Sequence, residues 1–419
     1  MTSGSVLDSF LRLVFPVGLA DLDRPFFLFV ILRLMETPMS TAELLIIDGH
    51  LDMAANALAL RRDLTQPVQV LREREGGARQ PPSAHKDSLE RRKGPLMPEQ
   101  GPVTVTLPEM RAGRVGIMVS TIMCRVQASG SDTAHAVRTP AAAYAVGRSH
   151  LAYYQALVRQ GEICWVRDIP ELEACLRAWE HPSPATPVGL ILAMESADPI
   201  LGPDQVPEWY QAGLRSVSLT HFGSNTYGHG TGTRGGLFPS AYPLMDALRA
   251  LGIVLDLTHA AELTFWQILD YWDGPVHASH CNCRALVPGQ RHLSDEMIKS
   301  IAGRGGVIGM VFAEPMLNPS WVWEEPATHR ESATRSMSAV VEHVDHVCQL
   351  LGNADHVAFG TDLDGGFGRD LAPTDLDTIA DLQKFLRILK ARGYAEEDVR
   401  KIAYGNLVRF FRHAWGRTR

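Results

Sequence analysis

The sequence LLIIDGHLD at residues 44–52 is the stretch from which the fold of this chain is predicted. A short apolar run that ends at ionisable residues is typical of a strand that is buried on both faces and leads into a functional site. Seven more apolar runs follow, at 115–122, 188–194, 216–220, 253–258, 275–279, 306–312 and 356–361.

Helical patterns fill most of the intervals between these runs, at 141–159, 242–251, 261–271, 295–303, 332–351 and 376–392. Repeated alternation of strand and helix predicts an α/β fold, a TIM-like (β/α)8 barrel with its helices outside. An open doubly wound sheet is the alternative. Eight strands, with metal-binding residues after at least five of them, favour the closed barrel.

The strand ends carry residues that bind zinc well, namely His50, Asp52, Glu195, His259, His280 and Asp362. Alternate side chains of a strand share a face, so His50 and Asp52 can point at one spot. Glu195 has two carboxylate oxygens and can bridge two cations. Parallel barrels build their active sites at the carboxyl ends of the strands. The sequence therefore predicts a dinuclear metal site and a metallohydrolase.

Other ionisable residues have different expected roles. Asp362 lies in FGTDLDGG at 359–366 and is placed to take or pass a proton of an activated water, whereas Asp364 is expected to cap the following loop. His277 is expected to point away from the site. We expect His343 and His346, one helical turn apart, to lie on a solvated helix face.

Taken together, these motifs resemble the membrane (renal) dipeptidase family, zinc peptidases on a (β/α)8 barrel. The resemblance spans about residues 44–413. The matching pieces are IDGHLD at 47–52, LPEMRAGRVG at 107–116, AMES at 193–196, SLTHFGSN at 218–225, LDLTHA at 255–260, HASHCN at 277–282 and FGTDLDGG at 359–366.

The resemblance implies a role for each matching residue. One Zn²⁺ would be held by His50 and Asp52 and a second by His259 and His280, with Glu195 bridging them. A hydroxide between the two ions would attack the peptide carbonyl of a small dipeptide, which could include one with a C-terminal D-residue. Asp362 would handle protons or hold the substrate amine, His221 would polarise the carbonyl, and Arg291 would pair with the terminal carboxylate.

Two departures from the family pattern put the side-chain preference in doubt. The glycine-rich stretch TYGHGTGTRGG at 226–236 differs from the shorter loop of the family, and the insertion at 61–102 is unusually long. The insertion lacks an apolar period, and we expect either a solvated flap or a loop that covers the substrate. The competing functions are a related amidohydrolase for another small amide or lactam, and a non-peptidase biosynthetic member or binding protein. A non-peptidase member or binding protein would be expected to lack one of the metal ligands, whereas all five candidates are present here.

Composition limits the choice of partners. The chain of 419 residues is 45% hydrophobic and has a net charge of −7, which argues against nucleic acid as a partner. Its six cysteines are too sparse for a disulfide scaffold. We expect a single catalytic domain at 41–419, compatible with a homodimer.

The first 40 residues are expected to be a separate extension, either dispensable or preceding the native start. The apolar segment at 25–34 is about half the length that crosses a bilayer. No convincing secretory cleavage site follows it. We therefore expect a cytoplasmic protein without stable membrane insertion, and a membrane-associating amphipathic segment is the alternative.

Overall fold

Parallel strands surround the centre of the molecule in the computed structural model, which describes residues 43–77, 101–126, 136–321 and 333–416. The strands are β1 (Ile46–Leu51), β2 (Val115–Met123), β3 (Arg125–Val126), β4 (Ala136–Val137), β5 (Ile163–Trp165), β6 (Val188–Glu195), β7 (Leu214–Ser218), β8 (Val254–Asp256), β9 (Val276–His277), β10 (Ile308–Met310) and β11 (Val357–Phe359). The pairing order β10-β11-β1-β2-β6-β7-β8-β9 gives eight barrel strands, one for each predicted run.

A single bridge between Ala278 and Ile308 joins β9 to β10 and nearly closes the barrel. Small residues allow this junction to form. A Cβ atom at Gly309 or Gly360 would lie 1.9 Å from the carbonyl oxygen of Ser279, so neither position accepts a side chain without movement of the backbone. The predicted barrel is confirmed, and the open sheet is not observed.

The short strand β5 was not predicted. It pairs with the first half of β6, through Ile163 with Val188 and Trp165 with Leu190, while β7 pairs with the second half. Three residues are too few to show an apolar period. The two-stranded pair of β3 and β4 was likewise missed for the same reason.

Helices cover the outside of the barrel, where their apolar faces pack on the strands. Their bounds are Met53–Ala59, Val68–Gly77, Leu107–Ala112, Pro140–Gln160, Ile169–Ala178, Val206–Gln211, Ala241–Ala250, Glu262–Tyr271, Asp295–Gly303, Glu314–Leu317, Met337–Leu351, Leu382–Arg392, Glu396–Arg400 and Asn406–Gly416, with a π-helical turn at Lys401–Gly405. In the part of the chain described, no helix combines the length and the apolarity needed to cross a membrane.

The prediction of a solvated face for His343 is wrong. This side chain is 2% exposed, and its Nδ1 accepts a hydrogen bond of 3.1 Å from the backbone N–H of Cys283. His343 lies on the same stripe of the helix as Val340 and Val347, which are buried against the barrel. His346 is half-buried and contacts Asp295 at 2.7 Å.

The insertion at 61–102 is predicted to be a flap or loop, but part of it is helical. A helix occupies Val68–Gly77, and Leu64 and Leu71 are buried against the barrel. The guanidinium of Arg62 is also buried and donates to Asn56 and Glu75. The remainder at 78–100 lies outside the described residues, as does the predicted extension at 1–40.

Candidate metal centre

Five of the predicted ligands lie at the carboxyl ends of four barrel strands. Strand β1 continues to Leu51 and so includes His50, with Asp52 directly after it. Glu195 is the last residue of β6. His259 and His280 each lie three residues beyond the end of a strand, β8 and β9 respectively. All five residues are buried, at 8% exposure or less.

The carboxylate of Glu195 lies between two groups of donor atoms. Its Oε1 is 3.2 Å from Nε2 of His259 and 3.3 Å from Nε2 of His280, and those two nitrogens are 3.2 Å apart. Ligands of a tetrahedral zinc ion at about 2.0–2.1 Å stand roughly 3.3 Å from one another. These three atoms therefore have the spacing of one metal's ligands.

The other oxygen of Glu195 faces the first strand. Its Oε2 is 3.6 Å from Nε2 of His50, which is 3.8 Å from Oδ1 of Asp52. Over the described ranges, His50 Nε2 and Glu195 Oε1 are buried without a hydrogen-bond partner. Such atoms are costly unless another group satisfies them. The site thus fits metal ions in both its donor types and its spacing.

Hydroxyl groups lie behind the imidazoles of His50, His259 and His280. Oγ of Ser279 lies 2.8 Å from Nδ1 of His280 and 3.3 Å from Nδ1 of His50, and Oγ1 of Thr231 lies 3.1 Å from Nδ1 of His259. Such partners orient metal ligands and select their tautomer. Sequence reasoning missed these hydroxyls: Ser279 is 229 positions from His50, and its position directly before His280 does not by itself indicate a contact with Nδ1 of that ring.

Backbone strain concentrates at this edge of the barrel. His259 and Asp362 have φ angles of 64° and 57°, and Ser196, directly after Glu195, has 69°. Residues other than glycine rarely adopt this left-handed conformation, and it recurs at functional sites. Here the chain turns at the ends of the strands, which directs the side chains of His259 and Asp362 inward.

The residues predicted to act on the substrate border the same centre. Oδ1 of Asp362 is 3.8 Å from Nε2 of His50, and Nε2 of His221 is 3.7 Å from Oε1 of Glu195. The buried Arg291 donates from Nη1 to the sulfur of Cys281 at 3.3 Å. Its positive charge helps to lower the pKa of His259, an effect that adds to burial.

Burial and neighbouring groups shift the pKa values of Asp362 and Glu195 in opposite directions. Burial raises the pKa of Asp362 well above its ordinary value, with the carboxylates of Asp52 and Glu195 acting the same way. Burial also opposes ionisation of Glu195, but the surrounding imidazoles, first of all His221 and His50, hold its pKa well below the ordinary range. Of these two carboxyl groups, Glu195 therefore ionises more readily.

The sequence pattern of this site matches a known family. The model of the membrane dipeptidase family, peptidase family M19, covers residues 39–416. The chain belongs to the membrane dipeptidase family. Membership of this family makes the protein a metallo-dipeptidase, an enzyme of the hydrolase class. The family predicted from the sequence motifs is confirmed.

Known relatives are distant. An uncharacterized protein from the pqqA 5′ region of Klebsiella pneumoniae is 30% identical over 215 residues, which are 49% of this chain and 74% of that protein. An uncharacterized dipeptidase of Schizosaccharomyces pombe is 25% identical over 230 residues, which are 54% of this dipeptidase and 53% of that protein. The match therefore spans about half the length of the yeast relative.

A solved structure shares the fold. The metallopeptidase of Rhodobacter sphaeroides with a phosphinate mimic of the dipeptide L-Ala-D-Ala superposes with a TM-score of 0.67 at 22% sequence identity. The match covers 89% of this dipeptidase and all of that chain. It establishes a common architecture across nearly the whole catalytic unit.

Asp364 anchors the segment that directly follows the insertion. Its buried carboxylate accepts from the backbone N–H groups of Thr104 and Val105, both at 3.0 Å, and from the Thr104 hydroxyl at 2.7 Å. Asp364 therefore binds a distant segment, in place of the predicted cap of its own loop.

Replacing Asp364 with alanine is expected to lower the free energy of unfolding by about 3 kcal/mol or more, because it leaves several buried donors unsatisfied. Urea denaturation of the purified variant measures this loss. The exposed Asp377→Ala, which removes ion pairs with Arg72 and Arg369, is the matched control and should change stability by less than about 1 kcal/mol. Equal losses in the two variants would contradict the anchoring role.

Proposed function

We propose that this protein hydrolyses the peptide bond of free dipeptides and binds two zinc ions to do so. The observation that carries the proposal is the position of Glu195, which offers one oxygen to His259 and His280 and the other to His50. Glu195 would therefore help to hold an ion on each side of its carboxylate. The chemistry that such ions supply when bound is activation of water and polarisation of the scissile carbonyl.

The surrounding side chains supply the remaining chemistry. Asp362 accepts the proton of the attacking water and returns it to the leaving amine, because its carboxyl lies at the edge of the donor set, with Oδ1 3.8 Å from Nε2 of His50. His221 faces the same centre, with its Nε2 3.7 Å from Oε1 of Glu195. It donates a hydrogen bond to the carbonyl oxygen of the substrate as negative charge develops there.

Arg291 selects for short substrates with a free C-terminus. Its guanidinium is buried close to the metal ligand His259, and a planar fork matches the geometry of a terminal carboxylate. A longer peptide carries an amide at that point and leaves the buried charge of Arg291 without its partner. Dipeptides with a C-terminal D-residue belong to the proposed range, a choice supported by the ligand of the Rhodobacter structure.

The decisive experiment compares hydrolysis of free and C-amidated L-L and L-D dipeptides by zinc-loaded protein. Free dipeptides should be cleaved, and amidation should lower kcat/KM by about a hundredfold, since a buried charge pair contributes about 2–5 kcal/mol. In Arg291→Met, kcat/KM for the free dipeptide should fall by a similar factor, and amidation should cause no further loss. Released amino groups are measured with ninhydrin.

A matched control is Arg392→Met, which removes an exposed arginine paired with Asp345 and should keep the full effect of amidation. If amidation still lowers kcat/KM in Arg291→Met as it does in the wild type, Arg291 does not bind the terminal carboxylate of the substrate. No cleavage of any free dipeptide by protein that contains two zinc ions would overturn the proposed function. The related amidohydrolase reaction on another small amide or lactam would then be the function to test.

A further inference from the structure

The imidazole of His221 differs from the other imidazoles of the centre in the partner of its Nδ1 atom. Nη1 of Arg125 lies 2.8 Å from Nδ1 of His221, and it also donates to the carbonyl oxygen of Phe222 at 3.3 Å. A guanidinium has only donors and stays protonated in proteins. Nδ1 of His221 must therefore accept this hydrogen bond, and the ring proton must sit on Nε2.

The three other imidazoles have partners of the opposite kind. Nδ1 of His50 and of His280 faces the hydroxyl of Ser279, and Nδ1 of His259 faces the hydroxyl of Thr231. A hydroxyl can accept two hydrogen bonds, so each of these rings can carry its proton on Nδ1. Their Nε2 atoms then keep a free lone pair, which is what a metal ion requires.

The difference matters because distance alone does not separate the two kinds of histidine. Donor atoms of Glu195, His221 and His259 lie within 4.8 Å of one another, close enough to hold an ion. A ring with its proton on Nε2 has no lone pair at that atom to offer. The hydrogen bond from Arg125 therefore decides between two ligand sets that are both sterically available.

We propose that Arg125 is a positioning residue that holds His221 in the Nε2–H tautomer, as a hydrogen-bond donor to the substrate and not as a metal ligand. The inference rests on the proposed function for the role of His221 as a donor. The proton on Nε2 points toward Glu195, the side on which the carbonyl oxygen would lie. A neutral N–H donor placed there stabilises the charge that develops on that oxygen.

Arg125 is itself held firmly. It is the first residue of β3, which begins two residues after the end of β2, and it is 7% exposed. The carboxylate of Asp198 accepts from the next backbone N–H, that of Val126, at 2.7 Å, and also from the N–H of Thr226 at 3.1 Å. Asp198 thus connects the segment that carries Arg125 to the glycine-rich loop that follows His221.

The test uses Arg125→Met, His221→Ala and the double variant, each loaded with Co²⁺ or Zn²⁺. Arg125→Met removes this donor to Nδ1, so that the ring proton can move to Nδ1 and His221 can offer Nε2 to the metal. We expect weaker visible absorption per Co²⁺, from a higher coordination number, and slower removal of Zn²⁺ by a chelator. His221→Ala alone should leave both properties at their wild-type values, and the double variant should return to them.

Kinetics give a second measurement. In Arg125→Met, kcat for a free dipeptide should fall by about tenfold to a hundredfold, the usual range for a residue that orients a functional group, with a smaller change in KM. Arg125→Lys keeps a charged donor and should keep kcat and the Co²⁺ spectrum nearer to wild type. Thermal unfolding of each variant identifies any general loss of structure.

Two results would overturn the inference. Faster loss of Zn²⁺ from His221→Ala would show that His221 is already a ligand. An unchanged Co²⁺ spectrum in a folded Arg125→Met would show that Arg125 does not control the tautomer. Both metal measurements are independent of turnover, so absence of dipeptide hydrolysis by the wild type would count against the proposed function only.

Discussion

Glu195→Gln is expected to abolish dipeptide hydrolysis and to lower the bound zinc below two ions per chain. The side chain remains the same size but loses the charge and one of the two oxygens that face His50 on one side and His259 with His280 on the other. Metal activation contributes several kcal/mol, so kcat/KM should fall by about a thousandfold or more. Metal analysis after gel filtration and steady-state kinetics measure the two losses.

The control for this variant is Glu208→Gln, which removes an exposed ion pair with Arg148. It should retain both zinc ions and full activity, because an exposed pair contributes little. A Glu195→Gln protein that keeps two tightly bound ions would contradict the bridging role, even if it were inactive.

Asp362→Asn is expected to lower kcat by about a hundredfold to ten-thousandfold, the contribution of a well-placed acid or base, with both metal ions retained. Asparagine cannot take the proton of the attacking water. It does tolerate the left-handed φ of 57° at this position, so the backbone turn should persist. Steady-state kinetics and metal content of the same preparation distinguish loss of chemistry from loss of metal.

Asp204→Asn, at an exposed position, serves as the control and should be fully active. Loss of an ion from Asp362→Asn would assign Asp362 to the ligand set together with His50 and His280, a grouping that its distances also permit. Normal kcat would exclude it from proton transfer.

Much of the fold and the metal centre could be predicted because both depend on local patterns. A strand shows its burial over a few consecutive residues, and a parallel barrel brings all strand ends to one edge. Any zinc-binding residue directly after an apolar run is therefore placed at the site. His50, Asp52 and Glu195 come together for this reason, although 145 positions separate His50 from Glu195 along the chain.

Predictions failed where the partner is remote and its side chain unremarkable. His343 is predicted on a solvated face because it lies one helical turn from His346 on an amphipathic helix, whereas in the structure the barrel loop at Cys283 buries it. The helix at Val68–Gly77 was missed because charged residues obscure its short apolar face. Arg125 gave no signal at all, since it is separated from His221 by 96 positions.

The amino-acid sequence alone determined the eight-stranded barrel, the family, and the residues that can bind metal. Only the tertiary structure decided which nitrogen of each imidazole faces the centre and which residue lies behind it. Tautomers depend on hydrogen-bond partners, and here those partners come from other segments of the chain: Ser279 behind His50, Thr231 behind His259 and Arg125 behind His221. A hydroxyl leaves an imidazole free to bind metal, whereas a guanidinium turns it into a donor, and that choice depends on contacts that no local pattern encodes.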